Sequence, residues 1–414
     1  MGAEPTIDIE ELYKDLHRNP ELSFAEHRTA DIVAGHLAAL GYTVTSGVGR
    51  TGVVGVLENG DGPTVLLRAD MDGLPVEEAT GLDYASTARG TDPDGTDVPV
   101  MHACGHDVHV SCLIGAAERL ATDRAGWSGT VVALFQPAEE FAAGARAMID
   151  DGLYERFPKP DIVLGQHVGP APAGVLGAHP GPAFAATDDV TIRLIGQGGH
   201  GSRPETSIDP ILMASATVMR LQGIVSREIA GSDTAVVTVG TLHAGSKTNI
   251  IPPDALLGIN VRSYEPEIRE RVLTAIERIA RAEAAASGAH EEPEITHSNG
   301  FAALLNDPDA TERTMAAFRS HFGDERVTDP GAVTGSEDVG ELATAAGVPI
   351  VYWILGGADA HAYATAAAAG RIEQDIPSNH SPHFAPVIRP TLATGIDALV
   401  VAAHTWLGVP ALDA

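Results

Sequence analysis

The chain has 414 residues, 44% of them hydrophobic and 20% charged, with a formal net charge of -30. That length exceeds what one core organises, so two domains are expected. So acidic a surface, with lysine only at Lys14, Lys159 and Lys247, repels phosphate backbones and disfavours nucleic acid as a partner.

The start, "MGAEPTIDIEELYKDLH", lacks the basic-then-apolar pattern of a secretory signal, and no apolar run reaches bilayer length. Cys104 and Cys112 lie eight apart in one segment of helical pattern, which argues against a bridge between them. The expectation is a cytoplasmic protein with reduced thiols and no membrane association.

In chain order, residues 7–17 and 26–40 carry apolar positions three or four apart and predict two amphipathic helices. "GVVGVLENGDGPTVLLRADMD" follows. Its two β-rich runs flank "NGDG", a hairpin signal, and the second run ends in Asp70 and Asp72. "GHDVHVSCLIGAAERLAT" has helical period. "GTVVALFQPAEE" is an apolar run predicted to be a buried strand ending in Glu139 and Glu140. "DIVLGQHVGP" repeats that form and ends in His167. Three strands ending in acid–base or metal-binding side chains mark a site, because ligands of open α/β sheets gather beyond the carboxyl ends of strands.

Near residue 186 the pattern changes. Strand "DDVTIRLIG", the helix after Asp209 and Pro210, strands "DTAVVTVGTLHAG" and "DALLGINVRSY", the helix after Pro266 and strand "PEITHSNG" read β-α-β-β-α-β, a ferredoxin-like module. The predicted fold is therefore α/β, with a first domain of residues 1–185 and 300–414 interrupted by an inserted second domain, residues 186–299. The strand-like "PIVYWILGG" and a final helix "TLATGIDALVVAAHTWLG" complete the first domain.

The stretch "MHACGHDVHV" concentrates metal-binding side chains. Cys104 and His106 flank Gly105, whose freedom permits a tight turn that lets thiolate and imidazole reach one divalent ion. Asp107 suits a helix cap or a partner orienting a ligand imidazole; His102 and His109 are read as buried, non-ligating residues. In "PAEE", neighbouring carboxylates on a strand end point differently, so one can bind metal while the other takes a proton from water. "NHSPHF" adds His380. Cys104, His106, Glu140, His167 and His380 exceed one catalytic ion with an open position and suit a pair. In the inserted module, His200 sits among glycines in "GQGGHGSRPETSIDP", and Asn249 and Arg262 are suited to hydrogen-bond a carbonyl and clamp a carboxylate.

The motifs "LHRNPELSFAEHRTA", "RADMDGLPVEE", "MHACGHDVH", "FQPAEE", "GQHVGP", "GGHGSRPETSIDPI", "KTNIIPPD", "GSEDVG" and "NHSPHFAP" run in order along nearly the whole chain. With them the sequence resembles the M20 metallopeptidase family, closest to its amidohydrolase branch of aminoacylase-like, hippurate and auxin-conjugate hydrolases. The resemblance implies a zinc-peptidase-like catalytic domain holding two divalent metal ions on Cys104, His106, Glu140, His167 and His380. It implies Glu139 as general base, Asp72 as a supporting carboxylate and His200 as a lid histidine that reaches a neighbouring subunit's site. The implied activity is hydrolysis of the amide bond of N-acyl amino acids or related conjugates by a homodimer; the alternative is a carboxypeptidase or dipeptidase of the same fold. Thiolate, imidazole and carboxylate ligands suit zinc, with manganese, cobalt or nickel as alternatives.

Overall fold

The computed structural model describes residues 7–409. The signal-sequence reading of residues 1–6 and the domain limits at residues 1 and 414 fall outside them. The chain divides into two compact units. The first comprises residues 1–183, 305–331 and 338–414; the second comprises residues 184–304 and 332–337.

The first unit is built on an eight-stranded mixed sheet. Its order is Thr43–Val48, Gly52–Asn59, Gly129–Gln136, Thr64–Asp70, Ile162–Pro172, Ile350–Ala358, Leu176–Gly177 and Val327–Thr328. The four strands in the middle, from Gly129–Gln136 to Ile350–Ala358, are parallel. Their near-continuous apolar sequence follows from that position, since a parallel strand is covered on both faces. Val65, Leu67, Val131, Ala133, Ile162, Leu164, Val351 and Trp353 share one core with Leu12, Leu16, Val33, Leu37, Leu113 and Leu399 from the helices.

The "NGDG" turn does not close a hairpin. Gly52–Asn59 and Thr64–Asp70 are separated by Gly129–Gln136, antiparallel to the first and parallel to the second. The turn instead meets the start of the inserted strand. The Thr130 N–H donates to the Pro63 carbonyl at 2.9 Å, and a Cβ at Gly62 would stand 2.9 Å from Gly129 Cα. Turn chemistry fixes a local reversal; the buried apolar strand takes the position that removes most surface from water.

The strand carrying His167 also continues past that residue to Pro172. Its neighbour Thr64–Asp70 pairs only as far as Arg68 with Gly165, but Ile350–Ala358 stays paired alongside. That ladder satisfies one edge of the strand, and side chains of His109 and Asn379 take the Val168 N–H and carbonyl, so the strand stays extended.

In the second unit, Ala186–Ile195, Pro210–Glu228, Ala235–Ala244, Asp254–Ser263, Pro266–Ala286 and Glu294–Phe301 follow in βαββαβ order. The antiparallel sheet runs, by first residue, 235, 254, 186, 294. Asp209 caps the first helix, accepting from Ile211 N–H at 2.8 Å, and Pro210 opens it. Both helices bury one stripe, Met213, Leu221 and Ile224 on one and Val272, Ile276 and Ile279 on the other, against Val190, Ile192, Leu257 and Ile259 of the sheet. Residues 332–337 join this unit from far along the chain: the Ala185 N–H donates to the Gly335 carbonyl at 2.9 Å.

Candidate active site

Beyond the carboxyl ends of the parallel strands, the first unit gathers side chains from five segments. Gly105 precedes the helix His106–Thr122 with φ of 82°. A Cβ there would stand 2.4 Å from Val168 Cγ1, so only glycine allows this approach. The turn sets Cys104 and His106 on either side, and Cys104 Sγ lies 3.4 Å from His167 Nε2. Glu139–Phe141 form a short 3-10 turn entered through Ala138 and left through Ala142, both left-handed with φ of 48° and 53°. His380, at φ 69°, donates its N–H to the Ala103 carbonyl at 2.8 Å.

The donor atoms of Cys104, His106 and His167 lie within 4.8 Å of one another, as do those of Cys104, Glu140 and His380, and those of His106, Glu139 and Glu140. The two glutamates do not diverge as neighbours on a strand end would: Glu139 Oε2 and Glu140 Oε1 both stand 3.9 Å from His106 Nε2. The tight turn, not a pleated strand, presents them, and Asp72 Oδ2 holds the Glu140 N–H at 3.1 Å.

Asp72 Oδ1 also lies 3.2 Å from His106 Nδ1, and its Oδ2 accepts from Ser23 Oγ at 2.7 Å. Asp107 does not orient the His106 ring. It turns away to His17, with Oδ2 2.6 Å from Nδ1, and accepts from its neighbour Val108 N–H at 2.9 Å. Successive residues at a helix start point in directions roughly 100° apart, so the cluster can take one of them and not both.

Three further residues complete the arrangement. Asp70 Oδ1 lies 2.5 Å from His109 Nδ1, while His109 Nε2 accepts from Val168 N–H at 2.8 Å. That pairing fixes the His109 tautomer and spends both nitrogens, so the ring is a brace. Asn379 donates to the carbonyls of Cys104 and Val168 at 3.1 and 3.0 Å and ties the His380 loop down. Asp70 is legible in the sequence as a strand end beside Asp72 and His109 as a non-ligating residue, whereas Asn379 has no signal beyond its place directly before His380.

The electrostatics are those of an anionic cluster. Burial pushes the Cys104 thiol up, but His167, His106 and His380 face it and hold it well below the ordinary thiol value. Burial favours a neutral His106, yet Asp70, Asp72 and Cys104 keep it protonated well above the usual range. His167 is lowered by burial but raised overall, to about 9, by Cys104. Cys104 and Glu140 raise His380 to about 10. Burial and the Cys104 charge lift Glu140 to about 7. Imidazoles therefore retain protons to offset buried anions, the position a divalent cation takes when it displaces them.

The donor set fits metal. His106 Nε2 and Glu140 Oε1 are buried without a hydrogen-bond partner, a costly state for polar atoms that a cation relieves. His167 Nδ1 donates to the Val168 carbonyl at 2.8 Å, which aims Nε2 at the cluster, where a cation can displace its proton.

In the second unit, His200 and Asn249 are neighbours on an exposed two-stranded ladder, His200 pairing with Ile250 and the Gly201 N–H bonding the Asn249 carbonyl at 2.9 Å. His200 Nδ1 accepts from Ser202 N–H at 3.1 Å, so the neutral ring carries its proton on Nε2. Arg262 is not beside them. It lies eight residues from the start of its strand at Asp254, about 27 Å along at roughly 3.4 Å per residue, with Nη1 2.6 Å from Ser336 Oγ.

A mixed sheet whose parallel centre ends in buried thiol, imidazole and carboxylate groups, in a chain with a second βαββαβ unit, defines an α/β enzyme with a cluster of transition-metal donors. The chain belongs to peptidase family M20/M25/M40, whose model matches residues 66–376, and it is a hydrolase of that family. It is 38% identical over 320 residues to a hippurate hydrolase from Campylobacter jejuni, covering 77% of this chain and 80% of the relative. It is 36% identical over 353 residues to a thermostable carboxypeptidase from Saccharolobus solfataricus, covering 84% and 85%. The crystal structure of a Bacillus subtilis dinuclear metal binding peptidase of the M20 family superimposes with a TM-score of 0.75 at 28% identity, over 96% of each chain.

Proposed function

We propose that the protein hydrolyses the amide bond of N-acyl amino acids or related conjugates, with two divalent metal ions held by Cys104, His106, Glu140, His167 and His380. The observation that carries this reading is the convergence of those donors around His106 Nε2 and Glu140 Oε1, two buried atoms without a hydrogen-bond partner. The similarity to a hippurate hydrolase supports the substrate class, and the likeness to a dinuclear peptidase supports the pair of ions. One thiolate beside imidazole and carboxylate favours zinc over manganese, cobalt or nickel.

Divalent ions at such a centre supply Lewis acidity, which acidifies water and polarises a carbonyl. Glu139, 5% exposed and facing His106, takes the proton of the attacking water as the C–O bond forms. It returns that proton to the leaving amine as the C–N bond breaks. Asp72 keeps the His106 ring and the Glu140 backbone in place throughout. His200 offers an Nε2–H donor suited to a developing oxyanion. Because about 27 Å of strand separates them at roughly 3.4 Å per residue, Asn249 and the remaining donors of Arg262 are proposed to contact the polar ends of the substrate from different subunits of a homodimer.

Glu139→Gln is expected to keep its metal content by elemental analysis while kcat falls about 10²–10⁴-fold. Turnover near the wild-type rate would remove Glu139 from this role. The likeness to a carboxypeptidase favours a second reading, cleavage of peptides; kcat/KM for hippurate, N-acetyl amino acids and dipeptides measured side by side decides between them. The protein is further proposed to be a cytoplasmic homodimer. Leu212 and Met219, 69% and 75% exposed on one lid helix, and Val236 and Leu242 on the edge strand of the lid support an association through that unit. A monomer in light scattering at micromolar concentration would overturn it. No helix of the described residues is long and apolar enough to cross a membrane.

A further inference from the structure

Glu26 is fully buried at the start of the helix His27–Ala39, where a carboxylate usually caps the first N–H groups. It does not cap. Glu21 does that instead, accepting from Arg28 N–H at 2.9 Å and Thr29 N–H at 2.8 Å. The Glu26 carboxylate is directed across the unit. Its Oε1 accepts from Phe24 N–H and from Ala138 N–H, each at 2.8 Å, and its Oε2 accepts from Thr51 Oγ at 2.5 Å.

Both N–H groups belong to residues in the left-handed region, Phe24 at φ 61° and Ala138 at φ 48°. That conformation is unfavourable for side chains other than glycine and persists where surrounding contacts impose it. Ala138 directly precedes Glu139, and the direction of its peptide sets where the Glu139–Phe141 turn begins. The same amino-terminal loop supports the other side of the cluster: Ser23 bonds Asp72, and the Glu21 carbonyl accepts from Gly73 N–H at 2.7 Å. A buried carboxylate is expensive to desolvate, so a site that needed only filling would be better served by an apolar side chain.

We propose that Glu26 is a positioning residue for the proton-transferring glutamate: by gripping the Ala138 N–H it holds the strained turn that aims Glu139. The loop that supplies it lies outside the residues matched by the family model. The proposal rests on the reading of Glu139 as general base.

The test compares Glu26→Ala, Glu26→Gln and Glu26→Asp as metal-loaded full-length enzyme, with the substrate turned over best by the wild type. Glu26→Ala is expected to lower kcat about 10–100-fold with KM changed less than about threefold, since a displacement of about 1 Å at the reacting group has that scale of effect. Glu26→Gln keeps the reach and an oxygen for the two N–H groups, and its amide can donate to Thr51, so it recovers most of the lost kcat. Glu26→Asp keeps the charge but is one methylene too short, and it is expected to resemble the alanine variant. In a Glu139→Gln background, adding Glu26→Ala is expected to cost less than about threefold further, because residues acting through one group are not additive. A purely structural role would give the same loss in both backgrounds.

Unchanged kcat in Glu26→Ala overturns the inference, as does recovery by Asp rather than Gln. If the alanine variant does not fold, the contrast between the Gln and Asp variants decides the matter by itself. Near-normal turnover in Glu139→Gln is a separate result: it overturns the general-base reading, whatever the Glu26 variants show.

Discussion

Gly105 sits at φ 82° with Val168 Cγ1 2.4 Å from where a Cβ would be. Gly105→Ala therefore combines a left-handed non-glycine residue with overpacking against a buried β-branched side chain. It is expected to cost about 1–3 kcal/mol by denaturant titration, and to weaken metal retention, since Cys104 and His106 flank the turn. Asp72 meets three groups at once, the His106 ring, the Glu140 N–H and the Ser23 hydroxyl. Asp72→Ala is expected to weaken metal affinity about 10–100-fold in chelator competition, the scale seen when a partner orienting a ligand is lost. The glycine was readable in "HACGHD" as a requirement for a tight turn. The contact that makes it obligatory comes from Val168, on a strand far along the chain, and nothing local announces it.

The helices Ile9–Arg18 and His106–Thr122 are joined by a buried polar link. His17 lies between Asp107, at 2.6 Å, and Glu78, at 3.1 Å. Burial alone would lower the His17 pKa, but the Asp107 and Glu78 carboxylates raise it from 6.5 to about 10. With the folded value above the unfolded one, its contribution to stability is complete below about pH 6.5 and is lost as the pH rises toward 10. The difference in melting temperature between wild type and His17→Gln is therefore expected to be wide near about pH 6 and to narrow by about pH 9.5; a constant difference would mean that the ring is not protonated in the folded protein. At this scale the sequence was informative about kind of element and poor about neighbours. Periodicity marks the helix starting at Pro266 and the strand beginning at Gly129, because both patterns are local. The "NGDG" turn promised a hairpin that the structure replaces with an interposed strand, because pairing is decided by burial across the whole sheet.

For the molecule as a whole, a net charge of -30 over 414 residues means self-repulsion in the folded state. Screening should relieve it. The melting temperature is expected to rise by a few degrees as sodium chloride goes from about 0.02 to about 0.5 M, where the Debye length falls well below about 10 Å. A flat or falling response would show that the exposed pairs Arg193–Asp254 and Arg278–Glu228, with others like them, outweigh the repulsion.

Composition, periodicity and donor chemistry, read from the chain alone, established an α/β fold, the βαββαβ order of the second unit, and which side chains could bind a metal. Those properties depend on residue type and short spacing. Only the tertiary structure decided that Glu139 and Glu140 face the same imidazole, that Asp72 and not Asp107 orients it, and that Glu26 reaches Ala138 from 112 positions away. Each of those relations is a hydrogen bond or approach between distant segments. Their geometry exists only after the sheet has closed its core and fixed where every loop begins.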